Sequence, residues 1–165
     1  MTRIGVLSDT HAYLDERIFE HFKECDEIWH AGDIGSLKVV QKLAAFKPLR
    51  AVHGNVDGGS LRGNYPEFLS FECEQVSVLL THIGGYPGRY WPEAKRKIIE
   101  LRPDLFVCGH SHILKVQFDQ TFNMLCVNPG AAGLEGFHQV RTLLRFEIDG
   151  KNIQNLEVIE MPKHH

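Results

Sequence analysis

Five short runs of apolar or small residues in this chain break off abruptly at Asp, Asn or His. They are residues 4–11 (IGVLSDTH), 28–33 (IWHAGD), 51–57 (AVHGNVD), 78–85 (VLLTHIGG) and 105–112 (LFVCGHSH). Each apolar part is about as long as a buried parallel strand. Helical spacing falls between them. Leu14, Ile18, Phe19 and Phe22 form one apolar stripe and predict a helix before the second run. Ser36 stands at an N-cap position for a helix through Phe46, closed by Pro48. Pro92 opens a third helix that runs to Leu101 and stops before Pro103. Beyond residue 112 the pattern changes. Residues 113–119, 123–127, 140–148 and 153–159 read as strands, with Asp149-Gly150 as a hairpin signal. A βαβ-type first half followed by a meander predicts an α/β fold with two sheets packed face to face and helices outside.

Open α/β sheets bind ligands just beyond the carboxyl ends of their strands. Asp, Asn and His are metal donors through oxygen or imidazole nitrogen. Any one of these segments alone reads as an ordinary turn, an N-cap or a core histidine. All five turning metal-binding at the same end describe one shared site. The pair of histidines flanking Ser111 is the segment that packing explains least.

With 165 residues, the chain is expected to form one domain with a sizeable core, spanning 1–165. Its 43% hydrophobic and 24% charged residues are those of a globular protein. No apolar stretch approaches the length of a membrane helix, and no secretory signal is visible, so a cytoplasmic location is expected. A net charge of −3 argues against a dedicated polyanion binder, leaving nucleic acid as a minor expectation only. Cys25, Cys73, Cys108 and Cys126 show no C-x-x-C spacing and read as reduced thiols. His164 and His165 read as the remnant of a purification tag.

The candidate donors are Asp9, His11, Asp33, Asn55, His82, His110 and His112. Seven donors without a thiolate are too many for one tetrahedral zinc. Two neighbouring ions sharing a carboxylate fit the count better, with Asp33 as the bridge. Mixed imidazole and oxygen donors suit Mn²⁺, Fe²⁺, Zn²⁺ or Ni²⁺ more than Mg²⁺ or Ca²⁺. Two such ions, about 3.5–4 Å apart, lower the pKa of a shared water and clamp a phosphoryl oxygen. Gly32, Gly54 and Gly109 each precede a donor, where the strand must turn sharply.

At this point the chain resembles the calcineurin-like metallophosphoesterase superfamily. The match runs as D-x-H (Asp9, His11), G-D (Gly32, Asp33), G-N-x-D (Gly54 to Asp57), T-H-x-G (Thr81 to Gly84) and G-H-x-H (Gly109 to His112), with a further turn at Asn128-Pro129-Gly130. Size and the G-N-x-D form look most like the compact bacterial and archaeal phosphodiesterase branch. The resemblance implies one ion held by Asp9, His11, Asp33 and His112, and a second held by Asp33, Asn55, His82 and His110. It implies a four-layer α/β/β/α sandwich of two mixed sheets, and phosphodiesterase activity with Mn²⁺ as the first expectation. Asp33, Asn55 and His110 are expected to form the catalytic face. Asp57 is placed beside them as a stand-in proton donor, or as a brace that orients a ligand.

One position departs from the pattern. In the phosphomonoesterase branches a His follows the motif's Asn and is thought to protonate the leaving group. Here that residue is Val56. His53, His30 or Asp57 is the available substitute. The expected substrate is therefore a small or nucleotide-like phosphodiester. A scaffold that keeps the fold without catalysis, as in the related retromer subunit, is the alternative, and a nuclease with Arg89, Tyr90 and Trp91 along one cleft wall is another. Assembly into a homo-oligomer stays open.

Overall fold

The computed structural model describes residues 1–163, so the expected tag remnant at His164-His165 lies outside the described residues. In chain order, β1 (Thr2–Leu7), α1 (Arg17–His21), β2 (Glu27–His30), α2 (Leu37–Phe46), β3 (Leu49–Ala51) and α3 (Gly59–Asn64) come first. Next come β4 (Phe68–Cys73), β5 (Val76–Thr81), β6 (Gly85–Tyr86), β7 (Arg89–Tyr90), α4 (Pro92–Leu101) and β8 (Leu105–Val107). The chain then closes with β9 (Lys115–Asp119), β10 (Met124–Asn128), β11 (Val140–Asp149) and β12 (Asn152–Pro162).

Two mixed five-stranded sheets result, in the orders β12-β11-β1-β2-β3 and β4-β5-β8-β10-β9. In the first, β1, β2 and β3 run parallel while β11 and β12 return antiparallel. In the second, β5, β8 and β10 run parallel between antiparallel edges. Period-two alternation sorts their side chains. Ile4, Val6 and Trp29 meet Val78, Leu80, Leu105 and Val107 between the sheets. The opposite face of the first sheet, with Ile28, Ala51 and Leu143, packs under Ile18 of α1, Phe22 just after it, and Val39, Val40 and Leu43 of α2. On the second sheet Leu79, Phe106 and Cys126 pack under Ala94 and Ile98 of α4. The layers are therefore α/β/β/α. All six parallel strands send their carboxyl ends to one edge of this sandwich.

Several expectations shift at their boundaries. The stripe from Leu14 to Phe22 yields only five helical residues, because residues 12–15 belong to the turn that carries His11. There Tyr13 N donates to Thr10 O, and Asp15 Oδ1 accepts the amide of Arg17. Leu14 still packs against the same core. Ser36 has the extended backbone of an N-cap, yet its hydroxyl makes no cap bond. Asp149 ends β11 opposite Asn152, so the hairpin turn proper is Gly150-Lys151. α3, β4 and the small β6–β7 hairpin have no clear pattern in the sequence.

Candidate metal centre

The loops after the parallel strands are fixed by hydrogen bonds that cross from one to the next. Asp9 N donates to Gly32 O (2.9 Å), His11 N to Asp33 O (3.0 Å) and Gly109 N to His82 O (2.9 Å). These bonds hold unusual backbone. Asp9, His11, Asp33, His110 and His112 all have positive φ, between 46° and 73°. Each such non-glycine residue costs about 1–3 kcal/mol and persists only where its surroundings dictate it. The neighbouring glycines make room for the donors. A Cβ on Gly54 would collide with Asp33 Oδ1 and its backbone nitrogen, and one on Gly109 with Ser8 Oγ.

Six of the seven expected donors gather into two groups. Asp9, His11 and His112 form one, and Asp33, His82 and His110 the other, with donor atoms within 4.8 Å of one another in each. His112 Nε2 lies 3.1 Å from Asp9 Oδ1. Asp33 Oδ2 lies 3.1 Å from His82 Nε2 and 3.6 Å from His11 Nε2, so its carboxylate stands between the groups. Asn55 Oδ1 lies 3.1 Å from His110 Nδ1, at the exposed side of the second group. All seven donors are thus brought to one place.

The donor chemistry fits a cation. Asp9 is fully buried and Asp33 nearly so. Burial alone would raise the Asp9 carboxyl, but His11, His112 and the Ser8 hydroxyl outweigh it and hold the group far below the carboxylate range. Asp9 lifts His11 against its desolvation, and Asp33 does the same for His82, so both imidazoles titrate above the ordinary range. The pocket therefore seeks positive charge. Yet His11 Nε2 and His82 Nε2 are buried and lack an aligned hydrogen-bond partner. His82 Nδ1 donates to Ala31 O, so in the neutral ring Nε2 presents a lone pair to two carboxylates. Buried polar atoms rarely stay unpaired, and a divalent ion satisfies this lone pair and the carboxylates together.

A family model described as the calcineurin-like phosphoesterase superfamily domain matches residues 2–151. The chain belongs to that superfamily. It is 31% identical over 133 residues to a probable metallophosphoesterase of Methanothermobacter thermautotrophicus, covering 78% of this chain and 76% of the relative. The fold is similar to a predicted phosphoesterase of Streptococcus pneumoniae (TM-score 0.69, 23% identity, 99% of this chain and 91% of that one). It is also similar to Vps29 of Entamoeba histolytica in complex with zinc (TM-score 0.72, 15% identity, 98% and 99%). Calcineurin-like phosphoesterases bind divalent metals, and the two donor groups are the candidate ligands here.

The three residues offered as substitutes for the leaving-group histidine are all engaged elsewhere. Asp57 is buried and accepts the amides of Ile34 (3.1 Å), Gly35 (2.9 Å) and Gly54 (2.8 Å). It ties the Asp33 loop to the Asn55 loop, which fits the brace among the two roles expected of it. His30 Nδ1 accepts the Gly32 amide and its Nε2 faces Thr10 Oγ1. That hydroxyl donates in turn to Ile34 O. Burial pushes His30 down to about 4, so it braces as a neutral ring. His53 Nδ1 donates to Tyr65 O, and its Nε2 lies 3.2 Å from Arg62 Nη1. Arg62, which also donates to Asp57 O and Gly54 O, is a supporting residue the sequence pattern does not reveal, since it sits on the unforeseen α3. Val56 itself is half exposed, and its amide donates to Asp33 Oδ1.

Proposed function

We propose that this phosphoesterase is a phosphodiesterase that works with two divalent ions, Mn²⁺ foremost. The observation that carries the reading is the placement of Asp33 between two triads that each offer two imidazoles and a carboxylate. Asp9, His11, Asp33 and His112 would hold one ion; Asp33, Asn55, His82 and His110 the other. Bound there, the ions supply Lewis acidity and an activated water, the chemistry of in-line attack on phosphorus.

The protein's own groups do the rest. Asp57, His30 and Ser8 hold the ligand loops in register, so the donors are positioned before substrate arrives. Gly54 and Gly109 keep the backbone close to the donors. Val56, with His53, His30 and Asp57 engaged, leaves none of these four positions with a free imidazole or carboxyl proton for the leaving oxygen. That favours esters whose leaving group is already stable as an anion. The four cysteines are unpaired and buried, which supports a reducing, cytoplasmic compartment.

The scaffold alternative draws on the Vps29 likeness, which at 15% identity concerns the fold alone. The full donor set favours catalysis. Metal analysis after Mn²⁺ loading, followed by rates on an aryl phosphodiester, a phosphomonoester and a pyrophosphate, tests the proposal. Two ions per chain and highest kcat/KM on the diester are expected; metal-loaded protein inert on all three leaves the scaffold.

A further inference from the structure

A cleft of about 640 Å³ opens on the His110 side of the donor groups. This lies within the range of roughly 300–1,000 Å³ typical of sites that enclose a small organic molecule. His110 lines it, so the cleft and the proposed metal pair share a wall. Apart from Ser111 and Asn128 beside His110, much of the rest of its wall is apolar. Tyr86, Trp91 and Ile113 line it while remaining 42%, 50% and 63% exposed. Two cations complete it, Arg89 and Lys115, and no carboxylate is among the lining residues. Among the described residues neither has a salt-bridge partner, and Lys115 Nζ lies 4.6 Å from the centroid of the Tyr86 ring. In a chain of net charge −3, an apolar cleft bearing only positive charge is complementary to an anion that carries a flat apolar group.

The wall is preformed. Between Arg89 and Trp91, Tyr90 turns inward and its hydroxyl donates to the buried Asp119 Oδ2 at 2.6 Å. Its ring packs edge-on against Phe106 and Phe122. Trp91 N donates to Gly84 O, closing the base of the β6–β7 hairpin. The hairpin is thereby bolted to the second sheet, and a ligand meets Tyr86 and Trp91 without first ordering them.

We infer that this cleft binds the aromatic ester group of the substrate, a nucleobase or a ring of similar size, while the phosphate sits at the metal ligands. The inference rests on the phosphodiesterase reading and names its substrate class as nucleotide-like. The single aromatic face of a base is what Tyr86, Trp91 and Ile113 can cover, and Arg89 and Lys115 favour the ester's negative charge.

Adenosine 5′-monophosphate and ribose 5-phosphate, which differ only in the base, are the probes. Binding is read by calorimetry and by quenching of Trp91 fluorescence over the constant background of buried Trp29, on Mn²⁺-loaded protein. Adenosine 5′-monophosphate should bind about tenfold tighter or more, as base–aromatic stacking contributes, and should quench. Trp91→Ala and Tyr86→Ala should each bring its affinity towards that of ribose 5-phosphate. Phe118→Ala, exposed on β9 outside the cleft, should change neither. Equal affinities for the two probes in the wild type overturn the inference, whatever the rates on diesters. Discrimination by the base in a protein that hydrolyses no diester upholds the cleft and overturns the phosphodiesterase reading instead.

Discussion

His82 Nδ1 donates to the carbonyl oxygen of Ala31 across 2.7 Å, and this one bond fixes what the imidazole can do. A carbonyl only accepts, so Nδ1 keeps its proton whether the ring is neutral or charged, and Nε2, 3.1 Å from Asp33 Oδ2, is the atom that takes up a proton or a metal ion. In the neutral ring the Nε2 lone pair faces that carboxylate, a repulsion that a metal ion, competing with the proton, removes. The folded protein therefore gains stability from metal. At an ion concentration 1,000 times the dissociation constant, one bound ion contributes about 4 kcal/mol. Chelation should lower Tm by several degrees, and re-addition of Mn²⁺ should restore it. Thermal melts with and without chelator check this, and identical curves would contradict it.

Asp33 should matter more to turnover than Asp57 does. Asp33→Ala removes the carboxylate that stands between both triads, and a loss of several orders of magnitude in kcat is expected. Asp57→Asn keeps one acceptor oxygen but sets an NH₂ against backbone amides that now meet a carboxylate. A supporting change of that kind costs about 10–100-fold. Side-by-side kinetics on one aryl diester at saturating Mn²⁺ decide it. Equal losses in the two variants would show that Asp57 acts on the substrate directly.

Gly54→Ala should damage the centre more than its single methyl group suggests. The added Cβ meets both the carboxylate and the backbone nitrogen of Asp33, and backbone cannot swing aside as a side-chain tip can. Metal affinity should fall at least tenfold, with far-UV circular dichroism retained. Gly63→Ala, with open space around its Cβ, is the control and should bind metal as the wild type does.

How far the sequence reveals this molecule depends on which forces speak locally. Strand ends are legible because hydrophobic runs stop where donors begin, so Asp9, Asp33, His82 and His110 can be placed together without coordinates. α4 is legible to the residue, since Pro92 opens it and Pro103 forbids its continuation past Leu101; Arg102, with φ 48°, closes it. Tertiary competition hides the rest. The apolar stripe from Leu14 promises two and a half turns of helix, but the loop that aims His11 takes the first of them. Arg62 carries no periodic signal at all. Its task, gripping Gly54 O and Asp57 O from a six-residue helix, exists only once α3 has folded against those loops.

His30 predicts an acid sensitivity with a definite sign. It is fully buried, and desolvation pushes it from 6.5 down to about 4. Its folded value thus lies below its unfolded value, so the unfolded chain binds the proton first as pH falls. The contribution is complete above about 6.5 and is lost progressively towards pH 4. Between pH 7 and pH 5 this amounts to about 2 kcal/mol. Urea unfolding of chelated wild type and His30→Asn at both pH values isolates the effect. The variant is less stable at pH 7, and its deficit should shrink by about that amount at pH 5. A deficit that does not change with pH would mean that His30 titrates in the fold as it does in the unfolded chain, and one that grows at pH 5 that it is charged in the fold.

Substrate class turns on Val56. General acid assistance contributes about 10²–10⁴-fold, and least where the leaving group is already a stable anion. With Asp57, His30 and His53 each engaged in bracing bonds, the wild type should prefer an aryl phosphodiester to an alkyl phosphomonoester in kcat/KM. Val56 is 52% exposed and adjoins Asn55, and only its backbone amide is used, by Asp33 Oδ1. Val56→His therefore adds an imidazole at the edge of the donor groups without removing a contact the site depends on. Monoesterase activity should rise relative to diesterase activity, and the gain should follow the protonated imidazole, falling as pH passes above about 6.5. Both rates are read at saturating Mn²⁺, wild type beside variant, from pH 5.5 to 8.5. A wild type that already prefers the monoester tenfold would show that the proton comes from a group other than these, and the substrate assignment built on Val56 would fall with it.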